Sequence, residues 1–175
     1  MTITLGDEFQ SVVKNLESGF LMANSIRLNL LLKKISMRFS IGEVKIEKKM
    51  INKSKSWNMI GPGFAEAREI LNNKQDSNLY RFNFLLNANK EIKIIEELLN
   101  SLGNSLTVIE ENWTENQKNI IYEFQKKEIN ISEFAKKIKK SRSTIHSTFK
   151  SANYDQYMDI KNLIIKTLRH IDQGQ

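Results

Sequence analysis

Cysteine is absent from the chain, so neither a disulfide nor a thiolate metal site can form, and the composition suits a reducing cytoplasm. Proline occurs once and glycine seven times in 175 residues, so no long flexible linker is expected. No apolar run reaches the length of a membrane span, and the N-terminus lacks a charged-then-apolar leader pattern, so no membrane partner is expected. Histidine occurs at His146 and His170 alone, with no partner at zinc-ligand spacing. Phosphate-binding loops are missing as well. Gly61, Pro62 and Gly63 read as a turn and a helix start rather than a nucleotide cradle.

What is present in excess is positive charge. Twenty-seven Lys and Arg against twenty Asp and Glu give a net +7, which favours an acidic partner such as nucleic acid. Most of the excess lies in residues 130–150 (NISEFAKKIKKSRSTIHSTFK). Over 131–150 six positive side chains face one negative, a net +5. This stretch predicts two short helices joined by a tight turn. In the first, Ile131, Phe134, Ala135 and Ile138 share one face at spacings of three and four, and Asn130 caps the start with Glu133 three residues on. Lys139 and Lys140 make the turn, where one of them must enter the left-handed region that glycine usually fills. Ser141 caps the second helix, whose inward residues are Ile145 and Phe149.

That layout is a helix-turn-helix, whose second helix enters the major groove of double-stranded DNA. Its outward residues fit the task. Arg142, Ser143, His146 and Ser147 are the base-edge candidates; Lys139, Lys140 and Lys150 are the phosphate candidates. The plain structural alternative is a solvated amphipathic hairpin within a bundle.

Elsewhere, residues 2–5 read as a strand and Gly6-Asp7 as a hairpin turn, with Phe9, Val12 and Val13 either continuing as a returning strand or leading into the next helix. A helix follows over 17–32, then a strand over 35–46, in which Gly42 marks a bulge or a close backbone approach. Residues 45–55 are a basic loop. Gly61-Pro62 turns the chain into a helix carrying Phe64, Ala65, Ala67, Arg68 and Leu71, and residues 79–86 form a strand. From about residue 88 everything reads as helix: a stripe of Ile92, Ile95, Leu99 and Leu102, a break at Gly103, a short second piece, and a helix after Thr114 with Gln117 as capping box. The helix-turn-helix comes next, and an amphipathic helix over 155–171 closes the chain. The expected fold class is α+β, with a mixed domain over 1–87 and a helical domain over 88–175.

The segments ITLGDEFQ, MRFSIGEV, IGPGFAEARE, RFNFLL and WTENQKNIIYEF occur in this order, and with them nearly the whole chain resembles the SatD family of bacterial proteins. The resemblance implies a partial ferredoxin-like, nucleotide-cyclase-like antiparallel sheet with helices, then a helical domain like the last DNA-binding region of sigma factors. It also implies that the family's first strand, with an acidic Gly-Asp motif, and the helix after it are missing here. The family's Asp-Gly-Pro stands as Ile60-Gly61-Pro62, so a second acidic group is lost.

Asp7 and Glu8 are the remaining candidates for a metal-bound acidic pair. Cyclases need two carboxylates on neighbouring strands, and one hairpin turn does not supply both. The chain is therefore expected to be a non-catalytic DNA-binding transcriptional regulator without a cofactor; Mg²⁺ or a nucleotide would need the completed sheet. Two other classes stay open: a nucleotide-binding or nucleotidyl-cyclase-like enzyme, and a protein-interaction module docking on a partner such as RNA polymerase. A homodimer is compatible with the small footprint of one helix-turn-helix.

Overall fold

In a computed structural model of the chain, residues 2–5, 8–44, 63–73, 82–86, 90–127 and 129–174 are described. In order they form β1 (Thr2–Leu5), β2 (Glu8–Gln10), α1 (Leu16–Leu31), β3 (Phe39–Gly42), α2 (Phe64–Asn72), β4 (Phe82–Leu85), α3 (Lys90–Glu111), α4 (Glu115–Gln125), α5 (Ile131–Lys137), α6 (Arg142–Ser151) and α7 (Tyr154–Gln173). The fold class is α+β. The Gly6-Asp7 turn, the basic loop over 45–55, the Gly61-Pro62 turn, residues 79–81 and the boundary near residue 88 lie outside the described residues. Among the described residues, no helix is long and apolar enough to cross a membrane.

Strands β1 and β2 pair antiparallel, with Ile3 opposite Phe9. β3 and β4 pair parallel, with Phe39 opposite Phe82 and Ile41 opposite Phe84. The antiparallel sheet that the resemblance implies is thus realised in the hairpin and not in β3–β4. The reason is the connection: α2 lies between the two strands, and a helical crossover delivers the second strand in the direction of the first.

Two of the differences from the sequence reading have a clear local reason. The strand expected over 35–46 begins only at Phe39, because 32–35 close the preceding helix. The Lys34 N–H donates to the Leu31 carbonyl at 3.1 Å and the Ile35 N–H to that of Leu30 at 3.0 Å, with Lys34 left-handed at φ 57°. Gly103 does not break α3, which runs through it. A Cβ there would sit 3.2 Å from the Phe82 carbonyl oxygen, so the glycine lets β4 lie close on the helix. Gly42 is the close approach expected of it, since its Cβ would meet the Leu85 oxygen at 2.5 Å.

The interior is aromatic at one end. Phe20 of α1 meets Phe82 edge-on at 5.2 Å between centroids, and Phe39 stacks on Phe82 at 5.7 Å. Side chains of α3 cover an edge of β4. Asn100 Oδ1 accepts from the Phe84 N–H at 2.7 Å, and Glu96 Oε2 accepts from that of Leu86 at 2.6 Å. The last helix, α7, packs on both α1 and α3.

The C-terminal end of α7 also clasps the start of α1. Asp172 accepts from the Leu16 and Glu17 N–H groups at 3.0 and 3.1 Å, and Arg169 grips Glu17 through two hydrogen bonds at 3.0 and 2.7 Å. The Arg169 guanidinium holds the Glu17 carboxyl below its ordinary range. A carboxylate on free N–H groups at a helix start is a charge-assisted cap. Asp172→Ala is therefore expected to lower stability by roughly 1–2 kcal/mol in urea denaturation, with the slope against urea unchanged.

Candidate nucleic-acid interface

Helices α5 and α6 start as their sequences require. Asn130 Oδ1 accepts from the Glu133 N–H at 3.0 Å, and Ser141 Oγ accepts from the Thr144 N–H at 3.0 Å. Phe134 and Ala135 of α5 and Ile145 and Phe149 of α6 are buried. Phe124 of α4 binds the pair together, with its ring 5.2 Å from Phe134 and 5.0 Å from Phe149; Tyr154 of α7 adds a fourth ring 4.5 Å from Phe149. Burial pushes the Tyr154 hydroxyl up to about 12.

The turn between them has a definite chemistry. The Lys139 N–H donates to the Lys136 carbonyl at 3.2 Å, and the Lys140 N–H donates to the Ala135 carbonyl at 3.0 Å. Lys139 itself is left-handed at φ 54°. This is the hydrogen-bond pattern that normally closes a helix on glycine, with a lysine in the glycine position. Lys139→Gly is expected to raise stability by roughly 0.5–1 kcal/mol, by removing the Cβ strain, while removing one cation from the surface. A melting curve beside a DNA titration would separate the two effects; a drop in melting temperature would contradict the strain.

All seven residues singled out in the sequence are exposed: Lys139, Lys140, Arg142, Ser143, His146, Ser147 and Lys150. On α6 they form two rows, Arg142–His146–Lys150 and Ser143–Ser147, at helical spacings of four. The Arg142 Nε–H points to His146 Nε2 at 3.4 Å, so the two side chains lie along one ridge. Ser143 Oγ is 2.8 Å from the capping Ser141 Oγ. Among the described residues, none of Lys139, Lys140, Arg142 and Lys150 is held in an ion pair with a carboxylate.

Two residues that were not among the site candidates fix where α6 points. Trp113 is buried, and its Nε1–H donates to the Ala152 carbonyl at 2.7 Å, just past the end of α6. Gln117 Oε1 accepts from the Thr114 N–H at 2.7 Å, completing the expected capping box, and its Nε2 donates to Ser151 Oγ at 3.0 Å. The capping motif that starts α4 therefore also holds the last residue of α6. A capping signature reveals the first bond; the second depends on tertiary packing.

Asp7 lies outside the described residues, and Glu8 Oε2 is 3.3 Å from Arg68 of α2. Among the described residues, no three His, Asp or Glu side chains are grouped to hold a metal ion. Phe82 and Phe84 are buried in the core and offer no stacking surface.

The sequence model of the SatD family matches residues 1–168. No curated protein and no solved structure matches the chain.

Proposed function

The chain belongs to the SatD family, and from that premise we propose that it binds double-stranded DNA as a cytoplasmic transcriptional regulator, using α5 and α6 as a helix-turn-helix. The observation that carries this reading is the outer surface of α6 and its turn. Seven side chains able to donate to phosphates or base edges stand exposed there, on a helix anchored by Trp113 and Gln117. Lys139, Lys140 and Lys150 take the phosphate role, which positions the protein without reading sequence. Arg142, Ser143, His146 and Ser147 take the base-edge role.

In this reading the N-terminal part is a non-catalytic, cyclase-like element. A homodimer would present two copies of α6 to successive turns of one groove, the arrangement that gives short helices enough contacts. RNA polymerase is the protein partner that fits the sigma-like resemblance. A partner protein docked on α6 in place of DNA is the outcome to expect if duplex binding fails.

The test is competition binding by fluorescence anisotropy on a selected duplex and on variants changed one base pair at a time. Arg142→Ala is expected to lose roughly 1–3 kcal/mol of discrimination at one base pair, if the guanidinium grips a guanine through two hydrogen bonds. An equal loss on every duplex would remove Arg142 from the base-reading set.

A further inference from the structure

The most exposed large apolar side chains among the described residues lie in one row on α3. Ile94 is 61%, Leu98 59% and Val108 53% exposed. With Ser101 and Ser105, also exposed, they follow one another at spacings of four, three, four and three, the repeat that keeps a single seam turned toward a partner helix. The inner side of α3 is already committed. Leu99 and Leu106 lie in the core, Glu96 and Asn100 bind β4, and Glu110 pairs with Arg27 of α1. Half-buried Ile95, Leu102 and Ile109 carry the apolar surface from the core out to the row. Apolar side chains exposed singly are ordinary; a contiguous row marks a place of contact. The polar members of the row suit burial too, since the Ser105 hydroxyl donates to the Ser101 carbonyl of its own helix at 3.1 Å.

The row fits a second copy of itself. About a two-fold axis that crosses the helix at Ser101, Ile94 of one copy comes opposite Val108 of the other, and Leu98 comes opposite Ser105. Large meets large at the ends, and large fills the space over small beside the axis. The flanks select the same orientation. Lys93, Glu97 and Glu111 lie along one side of the row, and Ile95, Leu102 and Ile109 along the other. A parallel pair would lay the charged flank of one copy on the apolar flank of the next, which strips water from the charges without pairing them. An antiparallel pair joins apolar flank to apolar flank. It also brings the Lys93 end of each charged flank to the Glu111 end of the other, and Lys93 is exposed although it pairs with Glu96.

We propose that α3 is the seam of a symmetric homodimer, in which the row from Ile94 to Val108 packs antiparallel on the same row of a second copy with Ser101 at the two-fold axis. One helix from each copy makes a contact smaller than the roughly 800 Å² per partner of a standard interface, so association in the micromolar range is expected. The seam is separate from α6 and stands whether or not α6 binds DNA.

The deciding experiment is analytical ultracentrifugation of the full chain across micromolar concentrations, with no DNA present. A monomer–dimer equilibrium is expected, and its loss in Leu98→Glu, with the melting curve of that variant unchanged because the position is exposed. Crosslinking fixes the register, and the chain has no cysteine of its own to confuse it. Under a mild oxidant Ser101→Cys is expected to give a disulfide-linked dimer. Ile94→Cys is not, because in the antiparallel pair its two copies stand about 21 Å apart along the helices. A monomer at every concentration overturns the proposal, and so does a dimer that survives Leu98→Glu. Crosslinking of Ile94→Cys with none of Ser101→Cys overturns the antiparallel register. Should Leu98→Glu fail to fold, the Ser101→Cys crosslink decides.

Discussion

Replacing Lys140 and Lys150 together by alanine is expected to weaken binding to every duplex about two hundredfold at 50 mM salt and to flatten its salt dependence by about two contacts. Each cation that neutralises a phosphate releases bound counterions, and the logarithm of affinity falls by roughly 0.9 per tenfold rise in salt for each such contact. Measured down from molar salt, where that term vanishes, two lost contacts amount to a little over two decades at 50 mM. Both lysines are exposed, so the fold has little reason to respond. Lys140 acts in the turn through its backbone N–H to Ala135, which alanine retains. Anisotropy across a salt series gives slope and affinity in one experiment. Unchanged slopes would place the phosphate contacts elsewhere on the molecule, and binding indifferent to salt would argue against DNA as the partner.

Glu110→Ala is expected to be the most damaging single core substitution outside the aromatic cluster, costing roughly 3–5 kcal/mol by stranding a buried guanidinium. For a chain of this size that is a fall of roughly 6–20 °C in melting temperature. Arg27 does more than pair with Glu110: its Nη1 donates to the Met37 carbonyl at 3.3 Å, and its guanidinium lies 5.8 Å from the Phe82 ring centre. Burial pushes the Glu110 carboxyl above its ordinary range while the Arg27 charge pulls it down. Desolvation and attraction therefore oppose one another, and the pair as a whole contributes far less than its rupture costs. The contrasting variant is Arg27→Met with Glu110→Leu, which removes both charges and is expected to stay within about 1–2 kcal/mol of the native protein, or to exceed it. Calorimetry on the two variants checks both halves; equal destabilisation would mean the pair is worth more than its desolvation.

The helices around residues 114–151 were legible because their signals are local. Asn130, Thr114 and Ser141 cap within three residues of themselves, and Phe134, Ile145 and Phe149 recur at the helical period. Even the left-handed lysine in the turn follows from two caps set so close together. The β3–β4 pairing was not legible, because parallel strands meet across a long crossover and nothing in FSIG or FNFL specifies direction. Gly103 misled for a related reason. Alone it looks like a helix breaker, and only the crossing strand explains a missing side chain. Arg27 and Glu110 left a fainter trace: each interrupts an apolar stripe on its own helix with a charge, and the two charges are opposite. For the candidate site, the exposed residues were readable, whereas the anchors Trp113 and Gln117 act on backbone and side chain some 34 to 39 positions away.

The clasp of Asp172 on the first turn of α1 joins groups 155 and 156 positions apart, and that separation has a consequence for how the molecule is made. At roughly 5–20 residues per second, a ribosome adds Asp172 about 8–30 s after it adds Leu16. Throughout that interval α1 has its local Asn15 cap but neither the Asp172 carboxylate nor the α7 surface on which it packs in the finished protein. Completion of the packing of α1 therefore waits for α7. Contacts of α1 with β3 and β4 become available earlier in synthesis, and its contact with α7 later.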